Sequence, residues 1–238
     1  SDEFVRENAT PLVKKYVRGK FKEIANEHKV DVVIEKTCAN SLRVDFVDEI
    51  LPEAKYIFIC RDGIDAVGSA RMRWTAELDV KYILEKVKFV PISDLPFYGL
   101  RYFVNRLYQF FSKEKRLAFW GPKLNDMDEI LDKYSLNEVC ALQWERCVNR
   151  SESFLDLMPK DKVAKVKYED LIRDPKAEVK RLVEFIGKSV SEKDLIGLTS
   201  DISASSIGKG RKQLGEQEVN KLSGLIGETL TRLGYERC

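Results

Sequence analysis

Apolar residues recur at two distinct periods along this chain. Leu12, Val13, Tyr16, Val17, Phe21 and Ile24 fall at helical spacing. Thr10 followed by Pro11 supplies a start for that helix, a capping side chain and then a proline at the first helical position. The β-branched run over residues 30–34 reads as a short buried strand, and a helix is expected over residues 41–51, ending at Pro52. Residues 55–60 (Lys-Tyr-Ile-Phe-Ile-Cys) form the clearest strand. They are almost continuously apolar, as a strand covered on both faces of a parallel sheet must be. Arg61-Asp62-Gly63 closes that strand, and residues 64–74 read as a helix.

The second half repeats the alternation after an interruption. Residues 82–120 carry Phe89, Phe97, Tyr98, Tyr102, Phe103, Tyr108, Phe110, Phe111, Phe119 and Trp120, broken by Pro91, Pro96 and Gly99, and read as an aromatic-rich helical insertion. A long helix is expected over residues 135–158 with Val139, Leu142, Cys147, Phe154 and Leu155 inward, then a strand over 162–168. Asp174-Pro175 opens a helix striped by Val179, Leu182, Val183 and Ile186, and Gly187 ends it. Ser191 and Asp194 resemble a capping box. A glycine- and serine-rich loop is expected over residues 203–215 and an amphipathic helix over 217–233. Strands alternating with helices imply βαβ units, a parallel sheet and an α/β fold, with residues 1–238 as a single domain.

Composition adds constraints rather than a function. With 44% hydrophobic and 34% charged residues the chain is an ordinary globular one. Its 41 basic and 39 acidic residues leave a net charge of +2, which gives no case for a nucleic-acid partner. A small anion needs only two or three well-placed cations. The five cysteines lie at spacings that suit no metal site, so no metal is expected, and they read as reduced, mostly buried thiols. Two triplets, at Asn8 and Asn149, have the form of glycosylation sequons, a pattern that chance often supplies. No apolar run approaches the roughly 20 residues of a membrane span, and no signal pattern opens the sequence. A soluble, cytoplasmic protein is the expectation.

Three clusters carry chemistry. In an open parallel sheet, ligands sit beyond the carboxyl ends of the strands. Arg61 stands at such an end and can offer paired hydrogen bonds to a phosphate, with the Ser69 hydroxyl eight residues later as a further donor. The same spacing suits an ion pair of Arg61 with Asp62 or Asp65 and a merely packed Ser69. The loop Ser205-Ser206-Ile207-Gly208-Lys209-Gly210-Arg211-Lys212 combines a backbone freed by two glycines with three cations, suited to a phosphate or to a solvated loop. Glu35 and Lys36 end the first expected strand, either as general base and electrostatic clamp or as a strand-end ion pair. His28, the only histidine, reads as a surface residue.

Taken in order, these segments resemble the sulfotransferase family that uses 3′-phosphoadenosine 5′-phosphosulfate (PAPS). The resemblance rests on Glu35-Lys36-Thr37, on residues 51–62 with Asp65 and Ser69, and on Trp120-Gly121-Pro122-Lys123, which is similar to bacterial-type members. Val166-Lys167-Tyr168-Glu169-Asp170-Leu171 with Asp174-Pro175, and residues 208–214, complete it. It runs from about residue 32 onward. It implies a three-layer α/β fold of the P-loop type, a parallel sheet flanked by helices. It further implies Arg61 and Ser69 on the 3′-phosphate of PAPS or its product, with Arg211, Lys209 and the Gly208 backbone closing from the other side. Lys36, with Glu35, would lie near the transferred sulfonate. Tyr168 would either border the nucleotide or pack beneath the sheet. The acceptor would be a hydroxyl or amine on a small molecule, glycan or lipid. The aromatic stretch over residues 97–120 would serve either as acceptor pocket or as a helical subdomain core.

The sequence also departs from that family. Its first strand and glycine-containing phosphate loop have no counterpart before Val30, where residues 1–27 read as helical. The resemblance therefore implies a chain lacking that strand and loop. Each lost transition-state stabiliser costs about 10²–10³ in rate. This leaves a second reading, a non-catalytic phosphoadenosine-binding or protein-interaction fragment. An open sheet edge would favour a homo-oligomer or a partner chain. Cys38 stands where relatives often have proline. Gly210 stands where many have a bulky residue, often tryptophan, so looser packing is expected beside the adenine.

Overall fold

The computed structural model of the protein describes residues 1–75 and 120–236. A 3₁₀ turn, Arg6–Asn8, precedes α1 (Pro11–His28). A second turn, Cys38–Leu42, leads to α2 (Val44–Ile50), β1 (Tyr56–Cys60) and α3 (Gly63–Trp74). Then come α4 (Met127–Lys133), α5 (Leu136–Leu155), β2 (Val163–Lys167), α6 (Tyr168–Arg173) and α7 (Pro175–Phe185). The chain ends with α8 (Glu192–Thr199), a 3₁₀ turn Ala204–Ser206, α9 (Lys209–Leu214) and α10 (Glu216–Arg232). The result is a helix-rich α/β fold. Apart from Trp120, the aromatic insertion expected over residues 82–120 lies outside the described residues.

Both strong strand patterns form strands. β1 and β2 pair in parallel, Tyr56 opposite Val163 through Cys60 opposite Lys167. The third pattern does not. Residues 30–34 run without regular structure, with Val30 and Ile34 exposed. A β-branched run becomes a strand only where a neighbour takes up its backbone groups. Among the described residues the sheet holds β1 and β2 alone.

Helix boundaries follow local chemistry. Thr10 accepts from the Val13 amide and Pro11 opens α1. Ser135 and Glu138 make a reciprocal capping box at α5. Asp174 accepts from the Ala177 amide at α7, and Ser191 from the Asp194 amide at α8. The helical period of α1 does not mark a buried stripe, however. Leu12 is 77% and Tyr16 66% exposed, and the helix is tied to α2 mainly by polar contacts. Lys14 pairs with Glu49, and Arg18 donates to Ile50 O (2.8 Å) and pairs with Glu53 (2.6 Å).

The main core lies between α3, α5 and α10. Ile64, Val67 and Trp74 of α3 meet Val139, Cys140 and Ala141 of α5 and Leu222, Ile226 and Leu230 of α10. Within α5, Val139 and Leu155 are buried as expected, whereas Leu142, Cys147 and Phe154 are half-buried. The Gln143 side chain instead fills an inward position. It donates to Trp120 O (3.2 Å) and Pro122 O (2.9 Å) and accepts from Trp74 Nε1 (3.4 Å). That clasp explains the compact Trp-Gly-Pro turn, in which Gly121 has φ +85°.

The segment read as a loop over residues 203–215 is largely helical, since the 3₁₀ turn and α9 occupy it. Nor is packing loose at Gly210. A Cβ there would lie 2.5 Å from Asp65 Cα and 2.8 Å from Ile64 O, and one on Gly68 would lie 2.7 Å from Gly210 Cα. Backbone meets backbone where α9 crosses α3, so glycine is required for contact. Gly210→Ala is therefore expected to lower stability by about 1–3 kcal/mol, the usual cost of overpacking. Gly224 of α10 is exposed and has open space around its Cα. Gly224→Ala should raise stability by about 0.5–1 kcal/mol. Urea unfolding midpoints of the two variants check the opposite signs.

Candidate functional site

The end of β1 is anchored before any ligand is considered. Trp144 Nε1 donates to Arg61 O (3.2 Å), and Glu169 accepts from the Asp62 amide (3.0 Å). Asp62 is the N-cap of α3, accepting from the amides of Ile64 (2.8 Å) and Asp65 (3.2 Å). These bonds fix the backbone from which the Arg61 side chain extends.

The Arg61 guanidinium sits at the centre of a small polar cluster. One terminal nitrogen donates to Ser69 Oγ (3.2 Å), and the other to Ser206 O (2.7 Å). It lies 4.8 Å from the Tyr168 ring centroid, a cation–π contact. The Tyr168 and Ser206 hydroxyls are 2.8 Å apart. Arg61 Nη2 is also 3.7 Å from Asp65 Oδ2. The ion pair and the Arg61–Ser69 contact, alternatives from spacing alone, coexist. Arg61 Nε is buried and has no hydrogen-bond partner among the described residues. A buried N–H of this kind suits an anion acceptor.

Four residues singled out in the sequence, Arg61, Ser69, Tyr168 and Gly208, therefore belong to one neighbourhood. Gly208 adopts a left-handed conformation (φ 71°), and its amide donates to Asp65 Oδ2 (2.6 Å) rather than into open space. The Arg211 guanidinium bonds Asp62 Oδ2 (2.8 Å) and Glu236 O (2.8 Å). Lys209 is exposed. Glu35 and Lys36 lie on an exposed segment, and their described hydrogen bonds are local. Glu35 accepts from Thr37 and Asn40, and Lys36 Nζ lies 3.8 Å from Cys38 Sγ. His28 is exposed at the end of α1. Ser206 belongs to the candidate loop over residues 205–212, and the cluster draws it in through its carbonyl and hydroxyl. Glu169 and Trp144 were not singled out as site residues, and they act here by anchoring the backbone of Asp62 and Arg61.

Known proteins bear on this arrangement. The model of the sulfotransferase domain matches residues 46–213, more than half the chain. The chain belongs to the sulfotransferase family. A curated relative, Sulfotransferase 1A1 of Bos taurus, is 29% identical over 116 residues, 49% of this chain. That stretch covers 32% of the bovine protein, so the match spans about a third of the relative's length. No solved structure matches. Within this sulfotransferase domain the matched region holds Arg61, Ser69, Tyr168 and the loop to Gln213. No described helix is long and apolar enough to cross a membrane.

Several acids around the core are held neutral. Burial pushes the Cys60 thiol, next to Arg61, up to about 11, with nearby Glu169 adding to the effect. Burial likewise pushes Cys147 up to about 12. The phenols of Tyr56 and Tyr235 are raised by burial, with Asp48 adding to the first and Cys60 and Glu169 to the second. Each of these groups favours the fold in its protonated form. Their stabilisation is complete below the ordinary thiol value of 9.0 and is lost as pH rises towards the folded values. Urea midpoints should fall progressively above about pH 9. Replacing Cys147 with alanine should flatten that fall, and an unchanged slope would contradict the assignment.

Proposed function

We propose that this sulfotransferase-family chain binds the 3′-phosphoadenosine group of PAPS and takes part in sulfonate transfer to an acceptor hydroxyl or amine. One observation carries the reading. At the end of β1, Arg61 and Ser69 converge beneath the Ser206 segment, with a buried guanidinium N–H left without a partner among the described residues. The cluster suits a phosphate. It offers a fixed cation, a hydroxyl and a spare donor at a strand's carboxyl end.

When bound, PAPS supplies an activated sulfonate, whose bond to the phosphate oxygen breaks as a bond to the acceptor oxygen or nitrogen forms. The chain's own residues bind and orient. Arg61 and Ser69 would hold the 3′-phosphate, with Tyr168 flanking the guanidinium. Lys209, exposed beside the site, would add charge from the loop, and Arg211 would secure the loop through Asp62. Lys36 would serve as a cation towards the sulfonate. Both Glu35 oxygens are engaged by Thr37 and Asn40, so action as a base requires those bonds to open. The wider reading is a single domain with a three-layer sheet of the P-loop type and a small-molecule, glycan or lipid acceptor.

The test is titration calorimetry with adenosine 3′,5′-bisphosphate and with adenosine 5′-monophosphate. The wild-type chain should prefer the bisphosphate. Arg61→Ala should lose about 1.5–3 kcal/mol of binding, as for a hydrogen bond to a charged group, and most of the preference. Ser69→Ala should lose about 0.5–1.5 kcal/mol. Equal affinity of all three proteins for both nucleotides defeats the reading.

A further inference from the structure

The carboxylate of Asp65 is among the most deeply placed charges in the described structure, with only 3% of the residue exposed. Its partners lie almost entirely in one distant segment. Gly208 donates its amide to Oδ2 (2.6 Å), while the amides of Gly210 (2.7 Å) and Arg211 (3.3 Å) both donate to Oδ1. Three backbone donors of one turn thus converge on an internal carboxylate. The same turn presses on α3 through Gly210, whose Cα would lie 2.7 Å from a Cβ on Gly68. Arg61 Nη2, 3.7 Å from Oδ2, is the cation that faces Asp65 from the strand side.

We infer that Asp65 is a positioning residue that latches the segment 206–211 against α3 and so sets the place of Ser206 over Arg61. Gly208 lies two residues beyond Ser206, whose carbonyl receives the Arg61 guanidinium and whose hydroxyl meets Tyr168. Fixing Gly208 and Gly210 therefore fixes the roof of the cluster. The latch has a second consequence. Because Asp65 occupies the convergent amides, a bound phosphate is recognised by side chains, Arg61 and Ser69, and not by that turn's backbone. This role in nucleotide recognition rests on the reading proposed above.

Asp65→Asn keeps the shape but replaces one acceptor oxygen with a donor, which cannot accept the amides now bonded to it. Hydrogen exchange followed by mass spectrometry tests the latch without any ligand. Peptides spanning residues 206–212 should exchange at least about tenfold faster in Asp65→Asn, while α5 and α10 keep their protection. Calorimetry with adenosine 3′,5′-bisphosphate then tests positioning, and affinity should fall at least about tenfold. Ser151→Ala is the control. It removes a buried hydroxyl that donates to Ser41 O away from the cluster and should leave affinity unchanged. Unchanged exchange in Asp65→Asn overturns the latch. Faster exchange with undiminished affinity overturns the positioning role. A wild-type chain that ignores the bisphosphate overturns the nucleotide reading, and the exchange result alone then decides the latch.

Discussion

The molecule turns on the crossing of α3 and α9, where a buried carboxylate and two glycines hold two distant parts of the chain together. Removing Asp65 from water is costly unless its oxygens are hydrogen-bonded. The amides of Gly208, Gly210 and Arg211 meet that need, and Gly210 is admitted close enough only because neither it nor Gly68 carries a Cβ. Gly210 is thus matched to its local packing. A larger residue at 210 would require the two helices to separate.

The same crossing couples the core to the candidate site. On its buried side α3 contributes Ile64, Val67 and Trp74 to the packing with α5 and α10. From its other positions it presents Asp65 and Ser69 to the polar cluster. Trp144 of α5 joins the two by donating to Arg61 O. The site is therefore built on packed elements, and its geometry inherits their rigidity.

What could be read from the sequence was local. Arg61 and Ser69 are eight residues apart across one strand-to-helix turn, so the chain itself brings them near each other. The caps at Thr10, Ser135, Asp174 and Ser191 involve side chains and amides three residues apart. A parallel sheet followed from strands alternating with helices, and β1 and β2 do pair in that sense. The failures were non-local. Residues 30–34 have strand composition, but pairing depends on a neighbour. The amphipathic period of α1 marks a helix without saying that its apolar side is covered. The turn at Gly208 looked like a loop because its order comes from Asp65, 143 residues earlier. No local propensity records such a bond.

Charge balance shapes how the candidate cluster would meet an anion. Arg61 is shared among Ser69, Ser206, Tyr168 and Asp65, and Arg211 is drawn to Asp62 and the Glu236 carbonyl. Each cation already has an acceptor, so an arriving anion competes with contacts that exist rather than falling into an empty basic pocket. A monoanion making one hydrogen bond gains little from that exchange. A terminal phosphate carries more charge and several acceptor oxygens, and it can engage the Ser69 hydroxyl and Arg61 Nε together. On the proposed reading, discrimination for a phosphomonoester over a single weak acceptor would follow from this partial neutralisation, because a multivalent oxyanion can replace more interaction than it displaces.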